Sequence, residues 1–210
     1  MPFDHNDHYH RLLLRQVPPG CRTALDVGCG TGRFARRLAD LGIEVEGIDS
    51  SAEAVATARA AAGGRPERRR PGFRHADVTR TELPRDRYDL VSCLASLHHM
   101  PFGTVAALRD ALAPGGVLAV LGCCAERSWA DRAWSLAAVP VNAGARLAVA
   151  ARERIRPPRE PLSAGAPVKR PEMPLEEIRR EAAVLLPGST LRRLLFWRYL
   201  LVFRKPADGV

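Results

Sequence analysis

Leu25-Asp26-Val27-Gly28-Cys29-Gly30-Thr31-Gly32 is the stretch that decides the fold. Residues 23–27 are short and apolar, as a buried strand requires. Past the glycines, Phe34, Leu38 and Leu41 recur at helical spacing, so a helix follows. Glycines between a strand and a helix let a ligand approach the backbone with no side chain in the way. A dinucleotide fingerprint GxGxxG needs a third glycine at position 33, which is arginine. The spacing is D-x-G-x-G-x-G instead, and the Gly-Lys-Ser/Thr ending of a phosphate-binding P-loop is absent.

Working outward, strand and helix alternate. Residues 43–48 alternate like a second strand, closed by Asp49. Ser50-Ser51-Ala52-Glu53 has the form of a capping box, and an alanine-rich helix should run from it to Ala62. Residues 63–72 form a polar loop holding Arg65, Arg68, Arg69 and Arg70. Residues 73–76 predict a third strand ending at Asp77. Residues 88–94 are nearly all apolar, which suits a strand covered on both faces of a parallel sheet. A helix over 105–113, a turn at Pro114-Gly115-Gly116 and a buried strand over 117–123 follow. This alternation predicts an α/β fold with a parallel sheet.

The flanks read differently. A helix over about 7–16 is stopped by Val17-Pro18-Pro19-Gly20. Residues 126–154 look helical and carry Trp129 and Trp134; residues 155–174 hold six prolines. Helix returns over 176–186, and residues 190–204 read as two closing strands whose turn lacks the usual Gly or Asn.

A chain of 210 residues with 46% hydrophobic and 26% charged residues has the composition of a soluble globular protein. No apolar stretch approaches the ~18 residues of a membrane span, and residues 1–8 lack the form of a signal peptide, so a cytoplasmic location is expected. Five cysteines (21, 29, 93, 123 and 124) without a CxxC pair argue against a disulfide framework or structural zinc. His5, His8 and His10 lack a carboxylate or cysteine set to complete a site, so no metal is expected. The net charge is +9 and unevenly placed. Residues 1–125 carry 16 arginines against 14 acids; residues 126–210 carry 14 arginines and two lysines against nine acids. Such a basic part suits an acidic ligand, nucleic acid, a membrane surface or a solvated face, and GC-rich codons also favour arginine.

Taken together, these landmarks resemble the class I S-adenosylmethionine-dependent methyltransferases. Tyr-Asp-Leu-Val at 88–91 is similar to that family's fourth-strand motif, and Leu-x-Pro-Gly-Gly-x-Leu at 112–118 to its entry into the fifth strand. The likeness implies a doubly wound, mostly parallel, seven-stranded sheet. It implies S-adenosylmethionine as cofactor and S-adenosylhomocysteine as product. Gly28, Gly30 and Gly32 would cradle the cofactor, Asp49 would accept from its ribose hydroxyls, and Asp77 from its adenine amino group. Asp26 would hold its amino-acid part through a water or through the loop. Ser50, Val78 and Leu94 complete the implied cofactor-binding set. Ser96-Leu97-His98-His99-Met100 resembles a segment of the small-molecule branch that includes quinone-biosynthesis methyltransferases, with His98 or His99 as candidate base. The opening His-Asn-Asp-His-Tyr-His and the closing Trp-Arg-Tyr-Leu-Leu-Val-Phe-Arg-Lys-Pro resemble a subgroup of uncharacterised bacterial methyltransferases. That likeness implies an N-terminal helix folded over the cofactor, with Tyr9 and His10 near the sulfonium. The expected organisation is a cap helix at 1–19, a cofactor core at 20–125, a substrate-side insertion at 126–188 and closing strands at 189–210. Three functions fit: a small-molecule methyltransferase, an RNA or protein methyltransferase, and a cofactor-binding protein of this fold that transfers no methyl.

Overall fold

A computed structural model describes residues 5–125, 170–194 and 197–207. Its centre is one seven-stranded sheet of β1 (Thr23–Val27), β2 (Glu44–Asp49), β3 (Gly72–His75), β4 (Tyr88–Leu94), β5 (Leu112–Cys123), β6 (Thr190–Arg193) and β7 (Arg198–Arg204), in the order β3-β2-β1-β4-β5-β7-β6. The first five strands pair in parallel, and β7 pairs antiparallel with both β5 and β6. The expected mostly parallel sheet is therefore present. After β3 the chain crosses back to the other side of β1. The point where strand order reverses lies between β1 and β4, and in such sheets ligands bind there, beyond the carboxyl ends of the strands.

Side chains of period two send alternate residues to opposite faces. On β5, Val117, Ala119 and Leu121 join one apolar cluster, while Leu118 and Val120 join the other. The first cluster is covered by α1 (His5–Leu14), α2 (Arg33–Asp40) and α3 (Ala52–Ala62), through Tyr9 and Leu13, Phe34 and Leu38, and Val55 and Ala58. The second is covered by α4 (Thr104–Asp110) and α5 (Leu175–Leu185), through Val105, Leu108, Ile178 and Ala182. Each helix buries residues three or four apart, the spacing of one helical face.

Two local expectations are corrected, and the closing turn is explained. The helix over 105–113 stops at Asp110, because the carbonyls of Asp110 and Ala111 are taken by the amides of Asp86, Arg87 and Tyr88. The chain then enters β5 at Leu112, and pairing jumps from Tyr88–Leu112 to Leu90–Val117. Pro114, which has no amide to give a ladder, sits in that excursion. At the start of α3 the cap is Ser51 rather than Ser50: its Oγ accepts from the Ala54 amide at 3.1 Å. The closing turn needs no glycine, because Trp197 itself takes the left-handed conformation (φ 57°) and its carbonyl accepts from the Cys124 amide at 2.9 Å.

Most of the expected insertion at 126–188, with Trp129 and Trp134, lies outside the described residues. No described helix is long and apolar enough to cross a membrane. Among the described residues no cluster of His, Cys, Asp and Glu could hold a metal ion.

Candidate functional site

The glycine loop leaves β1 at its carboxyl end and is pinned at once. The amides of Gly28 and Cys29 both donate to the Ile48 carbonyl, at 2.8 and 3.1 Å. The three glycines serve different ends. A Cβ at Gly28 would collide with Ser96, and one at Gly32 would collide with the Phe73 ring. At Gly30 a Cβ would meet nothing within 4 Å. Gly28 and Gly32 are therefore required by packing, while Gly30 faces open space. Ser96, which sequence reasoning missed, donates its hydroxyl to the Val27 carbonyl at 2.8 Å, bridging the ends of β1 and β4. Gly28→Ala is expected to destabilise the fold by about 2 kcal/mol or more, combining a collision with a left-handed backbone. Chemical denaturation should recover part of that loss in Gly28→Ala/Ser96→Gly, which removes the colliding side chain.

Asp49 ends β2 and grips the loop. One carboxylate oxygen accepts from the Gly30 amide at 2.8 Å and the other from the Ser51 amide at 2.8 Å. Each carboxylate oxygen can accept two hydrogen bonds, so capacity remains on both. Beside it, Ser50 is exposed, and its carbonyl lies 3.1 Å from His75 Nε2. His75 therefore ties the end of β3 to the end of β2. Asp77, two residues on, is exposed and accepts from the Thr79 hydroxyl and amide at 2.7 and 2.9 Å. Those bonds, with Arg80 nearby, hold its carboxyl below the usual range. Val78 is buried in the same core cluster as Leu83, and Leu94 is half-buried at the end of β4.

Asp26 is different: it is only 1% exposed. Ser92, fully buried on β4, donates to it at 2.7 Å. Burial pushes the Asp26 carboxyl up to about 7, the Ser92 bond opposes this, and the charge of Asp49 adds to it. A carboxyl raised in this way holds a proton in the folded state that the unfolded chain has lost. Stability should therefore fall as pH rises from about 4 to 7, by up to about 4 kcal/mol. Asp26→Asn should flatten that limb in denaturant titrations at pH 4.5 and 7.5.

His98 and His99 lie in a single 3-10 turn directly after β4, fixed by the His99 amide on the Ser96 carbonyl at 3.0 Å. Their rings lie 4.1 Å apart; His98 is half-buried and His99 exposed. Tyr9 and His10 are buried on α1, and the His10 ring lies 5.1 Å from that of Phe34, the second residue of α2. The fold thus brings Gly28, Gly30, Gly32, Asp49, Ser50, Asp77, Leu94 and His98–His99 to the carboxyl edge of β1 to β4. It brings Tyr9 and His10 to the helix that follows the loop. Two open depressions, of about 290 and 570 Å³, share Glu46 and Arg87 and lie at the opposite, amino-terminal edge, away from this site.

Comparison with known proteins agrees with this geometry. A family model described as a methyltransferase domain matches residues 24–116. An uncharacterized methyltransferase of Mycobacterium tuberculosis (strain ATCC 25618 / H37Rv) is 34% identical over 208 residues, 98% of this chain and 98% of that one. The chain belongs to the class I S-adenosylmethionine-dependent methyltransferases. Part of this methyltransferase is also similar to a ubiquinone biosynthesis O-methyltransferase of Burkholderia ambifaria (strain MC40-6), 33% identical over 110 residues, 45% of this chain and 41% of that protein. Among solved structures, the 4+2 cyclase SpnF shares the methyltransferase fold, with a TM-score of 0.67 over 96% of this chain and 82% of that one at 18% identity.

Proposed function

We propose that this methyltransferase transfers methyl from S-adenosylmethionine to an oxygen, nitrogen or carbon atom of a small molecule. The donor set suits the cofactor. Its ribose hydroxyls and adenine amine are donors, and Asp49 and Asp77 are acceptors along one edge. The open side of Gly30 leaves the loop backbone approachable. When bound, S-adenosylmethionine supplies a methyl group already activated by the positive charge on sulfur.

The chain's own residues then need to align the acceptor, exclude water and receive a proton where the acceptor loses one. His98 is the candidate for the last task, with the His99 ring tilted against it, because both are held at the end of β4. A histidine titrates near neutral pH and suits that role. Replacing His98 with Gln should lower kcat by about 10²-fold with cofactor affinity unchanged. His99→Gln is the paired measurement, and equal wild-type rates in both would remove the turn from proton transfer.

The observation that carries the small-molecule reading is the fate of the arginine loop. Arg65 pairs with Asp40 and donates to the Arg69 carbonyl at 2.9 Å, and Arg70 donates to the Arg65 carbonyl at 3.0 Å. The loop precedes β3 and so lies at the sheet edge opposite the glycine loop. The guanidinium groups of Arg65 and Arg70 are engaged in structure, and the loop is far from where a methyl would be transferred. The similarity to a ubiquinone biosynthesis O-methyltransferase points the same way. Labelled methyl transfer should be tested against quinols and phenols, with folded RNA and basic protein as the competing arm. Label confined to RNA or protein would overturn the reading.

A further inference from the structure

Asp26 and Ser92 face each other in register, on adjacent strands, inside the protein. Both point to the face covered by α1 to α3, since Ala24 and Leu90, two residues earlier on the same strands, belong to that cluster. A polar pair there is unusual, because a buried carboxyl is costly unless its lone pairs are satisfied. Ser92 satisfies one oxygen at 2.7 Å, and the nearby backbone of Ala35 in α2 favours the charged form. The pair thus couples β4, β1 and the first turn of α2, the elements on either side of the glycine loop.

The groups facing Asp26 can be named element by element. Asp49 from the end of β2 carries the nearby negative charge. Cys29 of the loop and Cys93 of β4 are close, but burial pushes both thiols well up, Cys93 to about 12, so both stay neutral. Arg36 of α2 is buried and donates to the Thr31 carbonyl at 2.7 Å. His10 of α1 is buried against Phe34 on the same face. Two carboxylates therefore approach the loop, one reaching its amide at Gly30 and one buried at its root.

S-adenosylmethionine carries a positive sulfur and S-adenosylhomocysteine does not. An ionised carboxylate at the root of the loop favours the first over the second, and a protonated one does not. Resting on the cofactor placement proposed above, we propose that Ser92 is a positioning residue which, through Asp26, lets the glycine loop prefer charged cofactor over uncharged product in a pH-dependent way. The Ser92 hydroxyl donates to Asp26 at 2.7 Å, a bond that is stronger when the carboxyl is ionised, and so keeps Asp26 ionised to lower pH.

The test is calorimetric binding of S-adenosylmethionine and S-adenosylhomocysteine to the full chain between pH 5.5 and 8.5. In the wild type, affinity for S-adenosylmethionine should fall by up to about tenfold per pH unit on the acid side, more steeply than affinity for the product. Ser92→Ala should move that fall to higher pH, leaving binding about tenfold weaker at pH 6.5 and near wild type at pH 8.5. Ser92→Thr, which keeps a hydroxyl, should restore the wild-type curve. Asp26→Asn should lose the limb, whereas any pH dependence from the ligand's own amino group survives in it. Parallel curves for the two ligands in the wild type would overturn the proposal without any variant. So would a Ser92→Ala loss equal at every pH, or an acid limb that persists in Asp26→Asn. A wild type that binds the product but shows no acid limb overturns this inference alone, and one that binds neither ligand overturns the functional reading with it.

Discussion

Gly30→Val should lose at least about 100-fold in affinity for S-adenosylmethionine while the protein stays folded. The two halves of that result have separate causes. A Cβ at Gly30 meets no protein atom within 4 Å, so the added side chain displaces nothing in the core. The backbone there is left-handed (φ 53°), and a β-branched residue in that conformation costs about 1–2 kcal/mol. In a domain of this size that lowers Tm by only a few degrees. The space the side chain enters borders the loop backbone, whose Gly30 amide is held by Asp49. Gly30→Ala should lie between, with weakened binding and a smaller fall in Tm. Differential scanning fluorimetry beside calorimetry separates the two effects. If Gly30→Val binds normally, the cofactor does not lie along this side of the loop. If binding and Tm collapse together, the glycine serves packing as Gly28 does.

What the sequence revealed followed from how local each signal was. The strand before the glycines and the helix after them are written within ten residues, and β1 and α2 fall where periodicity places them. β4 stands out because seven consecutive residues are nearly all apolar. Boundaries set by distant partners were not legible. The end of α4 depends on amides some 20 residues earlier in the chain. The tandem Ser50-Ser51 leaves the cap ambiguous until the Ser51 Oγ is seen accepting from the Ala54 amide. Ser96 is invisible for the same reason, since its fit against Gly28 is made by folding β4 beside β1. Ser92 left a signal that could have been followed: a polar residue inside an apolar strand has to find a buried partner, and Asp26 is the polar residue of the neighbouring one. The left-handed Trp197 left no sign, because no turn residue marks it.

Asp49→Ala is the second large effect, and the structure makes it larger than ribose contacts alone would. The carboxylate already satisfies two amides, Gly30 and Ser51, at 2.8 Å each. Removing it frees the Gly30 amide of the loop and the Ser51 amide at the cap of α3, and also removes the acceptor expected to meet the ribose hydroxyls. Hydrogen bonds to a charged group contribute about 1.5–3 kcal/mol each, so affinity for S-adenosylmethionine and S-adenosylhomocysteine should fall by at least about 100-fold. Asp49→Asn separates the contributions. Its single carbonyl oxygen can keep one of the two amides, and its NH2 cannot accept from a hydroxyl. The loop should then survive in part, as judged by Tm, while binding falls nearly as far as in Asp49→Ala. Adenosine, which keeps the ribose and lacks the amino-acid part, should lose a comparable factor in both variants. Unchanged adenosine affinity in Asp49→Asn would detach the ribose from Asp49 and leave this residue as a loop and helix anchor only.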